Sequence, residues 1–513
     1  MEKLFLHRAT LHFSLSVPCR TYWASILFIF AVHFSSLAQA PERFVQTYHF
    51  PPNFHSQSYG VANTDYGYML AGMSIDTVGN PGAYWAFTVS GHDQLGNLLW
   101  YKRHQMSPNE TALSSYYIHD FLKQIDGYYY STFNVHDTLT NAYSSYLLKL
   151  DNQGDTIWTK HYLGDAQDSI IETKSINKSK DGGFILSGLT YSNGNKKTFI
   201  LKTDIFGNAL WKNKYNLSLG EECVFNAVQD SATKKIVMVG YKNTYNTSFV
   251  CILDSLGNML LEKNFTPNGG YLHYVRQLSD GDFIAVGAEM TGNILGGYNL
   301  TKPMTLRFNI YGDLLWKNLS GYESIDNTFL SFSVENGDTI VAVGYEDTLF
   351  TQNLGINRIL SIRKISPSGV QIWGRMTDVF SNSFNGVFQA IVKTEDGGYA
   401  TTGCDFMAAS PNSFVLIKLD EWGCLSGGCQ TAGVDENATE NEVTIFPNPA
   451  SETLTISLPE NALNTECMLF DNLGKEVLRI DVLGGENLLD IKMLESGMYT
   501  VKVNTQTIKF IKN

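Results

Sequence analysis

The sequence predicts an all-β protein: a seven-bladed β-propeller of four-stranded blades, followed by a small Ig-like β-sandwich. Three observations lead there. A phrase D-x-x-G-[ND]-x-x-W returns seven times, with its glycines at Gly96, Gly154, Gly207, Gly257, Gly312, Gly369 and Gly423, in steps of 50 to 58 residues. A second phrase, D-G-G-[FY]-x-x-x-G, keeps step between the first ones and is clearest at Asp181 to Gly188 and Asp396 to Gly403. No stretch beyond the N-terminal segment sustains a helical period. Self-similarity at such a period marks units that bury their apolar faces only against neighbours.

The third unit shows what each repeat builds. Ile170 to Ser179 alternates apolar and polar residues, the period of a half-buried strand. Asp181-Gly182-Gly183 supplies a tight turn, since Gly accepts positive φ and Asp bonds its own downstream backbone. Phe184 to Ser187 and Thr198 to Leu201 form the next two strands. Ile205 to Asn208 is a hairpin, and Trp211 to Tyr215 is the fourth strand. Four antiparallel strands per unit make a propeller blade. An apolar residue five positions before the turn recurs as Phe121, Ile176, Val228, Val275, Phe332 and Ile391, with Gly60 the exception, and is assigned to packing between innermost strands. The seventh unit lacks a fourth strand, whereas Phe44 to Phe50 precedes the first blade as an orphan. The orphan is expected to close the ring as the outer strand of blade seven; eight blades or an open arc are the alternatives.

The hairpin phrase resembles the docking hairpin of quinoprotein-type propeller repeats, in which the Trp packs on the next blade. The likeness covers about eight residues per unit and brings no cofactor with it, since the adjacent cysteine pair of those dehydrogenases is missing. Sialidase-type Asp boxes differ in placing Asp and Trp one residue nearer the Gly.

The two ends of the chain read as an address. Lys3, Arg8 and Arg20 precede an apolar run from Trp23 to Phe34, followed by small residues, as in a secretory signal cleaved after Ala38. The propeller then occupies 39–429, and 430–442 has the polar, acidic composition of a linker. From 443 to 513 seven short alternating strands suggest a compact sandwich. Within it stand Phe446-Pro447-Asn448-Pro449-Ala450, Asp471-Asn472-Leu473-Gly474-Lys475, and Leu494 to Val503 with Gly497 and Tyr499. This segment resembles the type A C-terminal sorting domain of the bacterial type IX secretion system, with Phe446 in place of the family's Tyr. The resemblance implies export through the periplasm, the type IX machinery as a partner, and an extracellular or outer-surface destination.

Composition narrows the function classes. With 513 residues, 43% of them hydrophobic, the chain has material for a large core. Its net charge of −13, unrelieved by any Lys/Arg cluster, opposes nucleic acid and anionic membranes. Six cysteines follow the signal; Cys424 and Cys429 flank Leu-Ser-Gly-Gly and are expected to form a small-loop disulfide after oxidising export. No metal or cofactor motif occurs, so none is expected, and Asp280-Gly281-Asp282 reads as turn chemistry rather than a calcium loop.

Propeller ligands usually meet loops near the start of the inner strands and the central channel. His119, Asp120, Lys174, Asn226, His273 and Arg276 are the polar candidates there. His119-Asp120 and His273 would make an acid–base pair if they converged; as isolated strand-end residues they would simply be solvated. Tyr84, Trp85 and Tyr128 to Tyr130 would stack on sugar rings or, preferably, pack between blades. The favoured reading is a monomeric binding or adhesion module for a glycan or a surface protein. The alternative is a secreted polysaccharide hydrolase or lyase.

Overall fold

The computed structural model describes residues 43–425 and 444–513, except 51–54, 76–84, 105, 108, 114–120, 165–167, 193–194, 244–246, 294–298, 322–323, 326, 350–355, 378–385, 406–412, 447–449, 459–464, 472–474 and 504–505. The signal, the cleavage site and the linker therefore lie outside the described residues. Two compact units, 1–427 and 428–513, divide the chain.

The first unit is a seven-bladed propeller. Its inner strands are Ser56–Asn63, Leu122–Ile125, Asp168–Lys178, Glu222–Gln229, Gly270–Gln277, Thr328–Val334 and Gly386–Lys393, in blade order. Each is followed outward by antiparallel partners in sequence order. The sheets of blades two and three are continuous through a single parallel pairing, Ile170 with Tyr143. Phe44–Tyr48 pairs with Ser413–Leu419 and completes blade seven, so the first strand of the fold closes the ring as expected.

The core lies between blades rather than within one. Ile185 and Ile200 of blade three share a buried cluster with Val224 and Met238 of blade four. Val237, Val239 and Val250 of blade four likewise pack on Leu272, Ala285 and Leu306 of blade five. Each sheet is therefore apolar on both faces, and no blade is stable alone.

The hairpin phrase explains how neighbours lock. Its Asp accepts backbone hydrogens two and four residues on: Asp204 Oδ1 takes them from Phe206 at 2.9 Å and Asn208 at 2.8 Å. The Gly turns at positive φ, 76° at Gly207, and leaves bare backbone under the previous blade's Trp. A Cβ on Gly154 would lie 2.6 Å from the Trp100 ring, and one on Gly257 or Gly423 would lie 2.8 Å from Trp211 or Trp373. Leu261 takes this place over Gly312. The seventh unit has lost its Trp, and Phe44 of the closing strand stands over Gly96 instead, 2.5 Å from such a Cβ. Tyr48 OH also donates to Gly96 O at 2.5 Å.

The second unit consists of two antiparallel sheets. One is ordered Thr444–Phe446, Thr453–Leu458, Gly485–Asp490 and the other Glu476–Val482, Thr465–Phe470, Gly497–Val503, Gln506–Lys512. Leu454, Ile456, Leu469, Val501 and Phe510 fill one core between them. Tyr499, expected from the sorting motif, is buried against Phe510 at 5.6 Å and donates its OH to Glu495 O at 2.9 Å. Such a backward bond fixes the corner where a sandwich strand begins. Pro447, Asn448, Pro449 and Gly474 lie outside the described residues, and Phe446 is described only as strand.

Candidate functional site

Six of the seven inner strands carry an irregularity at the same place. The register skips Tyr59, Lys174, Phe225, His273, Leu330 and Gln389, one per blade. All six are buried. The bulge pushes a carbonyl toward the second strand, and the last Gly of the second phrase faces it. A Cβ on Gly72, Gly188, Gly240, Gly287, Gly344 or Gly403 would collide with that carbonyl oxygen. Blade two has Phe133 at this position, and its inner edge is split between Glu110–Ala112 and Leu122–Ile125. The repeated Gly is therefore the partner of a repeated bulge.

The same register corrects the packing residues. Counting five back from the turn assumes turns of one length. Blades one and two have two-residue turns, and blade four has a four-residue one. The residues equivalent to Ile176 are accordingly Val61, Leu122 and Ala227, not Gly60, Phe121 and Val228. All three are buried.

The next position along each inner strand carries Ala62, Lys123, Asn177, Val228, Arg276, Ser333 and Val392. Two residues earlier come Gly60, Phe121, Ser175, Asn226, Tyr274, Ser331 and Ala390. Neither set contains an acid. Residues of both sets from blades one, two, five, six and seven surround an axial cavity of about 210 Å³. Blades three and four join through hydrogen bonds. Lys123 Nζ donates to Asn177 Oδ1, and Arg276 NH1 donates to the same oxygen at 3.1 Å. Asn177 Nδ2 is anchored on Ala227 O at 2.9 Å. Arg276 also reaches Asn226 Oδ1 at 3.4 Å, and its guanidinium lies 4.0 Å from the centre of the Tyr274 ring. Two cations thus share one neutral acceptor. Sharing places them at most about 6 Å apart, where like unit charges repel by about 3 kcal/mol at an effective dielectric of about 20.

The candidates read from sequence fall into two groups. Asn226 and Arg276 meet in this axial cluster. Lys174 and His273 sit at the bulge position instead. Lys174 is buried and pairs with Glu172 at 3.2 Å. His273 is buried between Phe225 at 4.6 Å and Tyr271 at 4.8 Å. His119 and Asp120 lie outside the described residues. Lys123, Asn177 and Tyr274 were not legible as site residues, although the repeat register places them there once turn lengths are known. Of the aromatic candidates, Tyr129 and Tyr130 are buried between blades, whereas Tyr128 is exposed under Lys149 Nζ at 3.5 Å; Tyr84 is not described.

A Ser–His contact elsewhere bears on the enzyme alternative. Ser144 Oγ is 2.7 Å from His161 Nε2, and Glu110 Oε1 is 3.9 Å from that same nitrogen. A nucleophilic triad needs the acid on the opposite ring nitrogen from the nucleophile. Here both crowd one nitrogen, Tyr146 stacks on the ring at 4.1 Å, and burial holds the imidazole below its ordinary pKa. The cluster ties Glu110–Ala112 to the outer half of blade two. At Asp280-Gly281-Asp282, Arg307 neutralises the turn, bonding Asp282 at 2.8 Å and also Asp280. No three metal-ligating side chains converge among the described residues. Nor does any helix among them have the length and apolarity to cross a membrane. Cys424 is disulfide-bonded, and Cys429 lies outside the described residues. Cys223, Cys251 and Cys467 are buried free thiols whose pKa values burial raises.

Fold and register together define an exported-type propeller with an axial cavity and a separate C-terminal sandwich. Residues 444–513 match the family model described as the secretion system C-terminal sorting domain, so the tail is such a domain. No curated protein matches the chain. Among solved structures, the β-propeller domain of the trilobed protease from Pyrococcus furiosus is similar at 9% identity and a TM-score of 0.31, over 77% of this chain and 96% of that one. Sqt1 of Chaetomium thermophilum gives 10%, 0.36, 71% and 95%, and a fungal alcohol oxidase gives 12%, 0.41, 93% and 100%.

Proposed function

We propose that this protein is an exported binding module, monomeric and non-enzymatic, whose propeller holds a ligand at its axis. The N-terminal segment acts as its signal peptide, and the sorting domain delivers it to the outer surface or the medium. The observation that supports the binding role is the axial cavity, where inner strands of five blades meet and polar side chains of blades two to five converge. Concave sites with a few convergent polar groups are the default place for a small ligand. A glycan, or a group borne by a surface protein, is the expected occupant.

The test is a glycan and polysaccharide panel scored for both binding and turnover. Binding without product supports the module reading. Product formation that is lost on substitution of His119 or His273 would establish the hydrolase or lyase reading instead. For the address, deleting residues 443–513 should trap the protein in the periplasm; efficient export of the truncated chain would refute it.

A further inference from the structure

The axial site has a chemical bias that the repeat does not require. Of the seven equivalent positions beyond the packing residue, those in blades two, three and five carry Lys123, Asn177 and Arg276, and those in blades one and seven carry Ala62 and Val392. The ring is thus cationic on one side and apolar on the other. Lys123 and Tyr274 line the cavity itself, facing Ala62, Ala390 and Val392 across it. Asn177 is held by Ala227 O, so its carbonyl oxygen is presented to both cations rather than to the neighbouring backbone.

We propose that the axial cavity binds the oxyanion of a small acidic sugar, a uronate carboxylate or a sulfate ester; this rests on the channel reading above. A planar or tetrahedral oxyanion accepts from guanidinium and ammonium together, which one amide oxygen does less well. Bound there, it relieves the repulsion between Lys123 and Arg276. A volume of about 210 Å³ suits one sugar ring, and the apolar flank of Ala62, Ala390 and Val392 matches the C–H face of such a ring. The neutral Asn177 stays as a donor or acceptor for a hydroxyl.

The test is calorimetry on the purified chain with glucuronate, glucose 6-sulfate, glucose and N-acetyl-dialanine. Glucuronate or glucose 6-sulfate should bind at least tenfold more tightly than glucose, the stronger of the two identifying the oxyanion. Arg276→Gln and Lys123→Gln should each weaken that binding at least tenfold, with melting temperatures checked against the parent. Ala390→Leu, which narrows the cavity while leaving both cations, should abolish it. Equal binding of glucose, or acidic-sugar binding indifferent to all three substitutions, overturns the oxyanion assignment. Tighter binding of the peptide overturns the sugar assignment. If the glycan panel yields a ligand whose binding ignores Ala390→Leu, the channel reading itself falls as well.

Discussion

Gly240 and Gly397 are both small residues at turns or strand crossings, yet their roles differ completely. Gly240 faces the bulge of blade four, where a Cβ would strike the Cys223 carbonyl; Gly397 has positive φ but nothing within 4 Å. Gly240→Ala should therefore cost about 3 kcal/mol or more, by overpacking against rigid backbone. Gly397→Ala should cost only about 1 kcal/mol, the strain of a left-handed residue. Urea denaturation of the two variants checks this, and equal losses would remove the bulge explanation. At this scale much was readable beforehand: Asp, Gly and Trp of the hairpin phrase announce their tasks by recurrence. The bulge residues did not, because Tyr59, Lys174, Phe225, His273, Leu330 and Gln389 share a backbone distortion and no chemistry.

Between elements, polar clamps supplement the apolar seams. Glu335, in the first turn of blade six, accepts from Lys393 at 2.9 Å and Tyr399 OH at 2.6 Å in blade seven, and pairs with Lys364 at 2.7 Å. Burial would raise its pKa, but these hydrogen bonds outweigh that and hold it at about 2, below an ordinary value of 4.5. A depressed carboxylate stabilises the fold above its unfolded pKa and loses that contribution as pH falls through its folded one. Stability should thus decline by about 2–3 kcal/mol between roughly pH 4.5 and 2. Glu335→Gln should flatten this part of a pH–stability profile; an unchanged slope would assign it to other carboxylates. The clamp was hidden in the sequence, since its partners are separated by 29 to 64 residues and belong to different repeats.

At the scale of the whole molecule, closure decides stability. Phe44–Tyr48 is joined to blade seven by pairing and to blade one by Phe44 over Gly96 and by Tyr48 against His92, with ring centres 4.3 Å apart. His92 is fully buried beside Ser90 Oγ at 2.8 Å. Burial pushes its pKa down to about 4, against a partial rise from the Gly96 backbone. A base depressed in the fold is stabilising while neutral, so this seam should weaken as pH falls from about 6.5 to 4. Phe44→Ala should cost about 1–3 kcal/mol, and deletion of residues 43–50 should cost more and expose blade seven to proteolysis. Melting and limited proteolysis at pH 7 and 5 would check both; a deletion variant as stable as the parent would mean the ring does not depend on its closing strand.

Repeat number, blade boundaries, the sharing of blade seven between the two ends of the propeller and the nature of the tail all follow from recurrence and motif. They rest on local rules of strand, turn and glycine, which any stretch of chain reports about itself. The axial cluster is another matter. Lys123, Asn177, Asn226 and Arg276 lie within 153 residues of sequence but on four different blades, and turns of two, three and four residues shift their register relative to one another. Their meeting depends on ring closure, which brings separate inner strands to one axis, and no local rule encodes that.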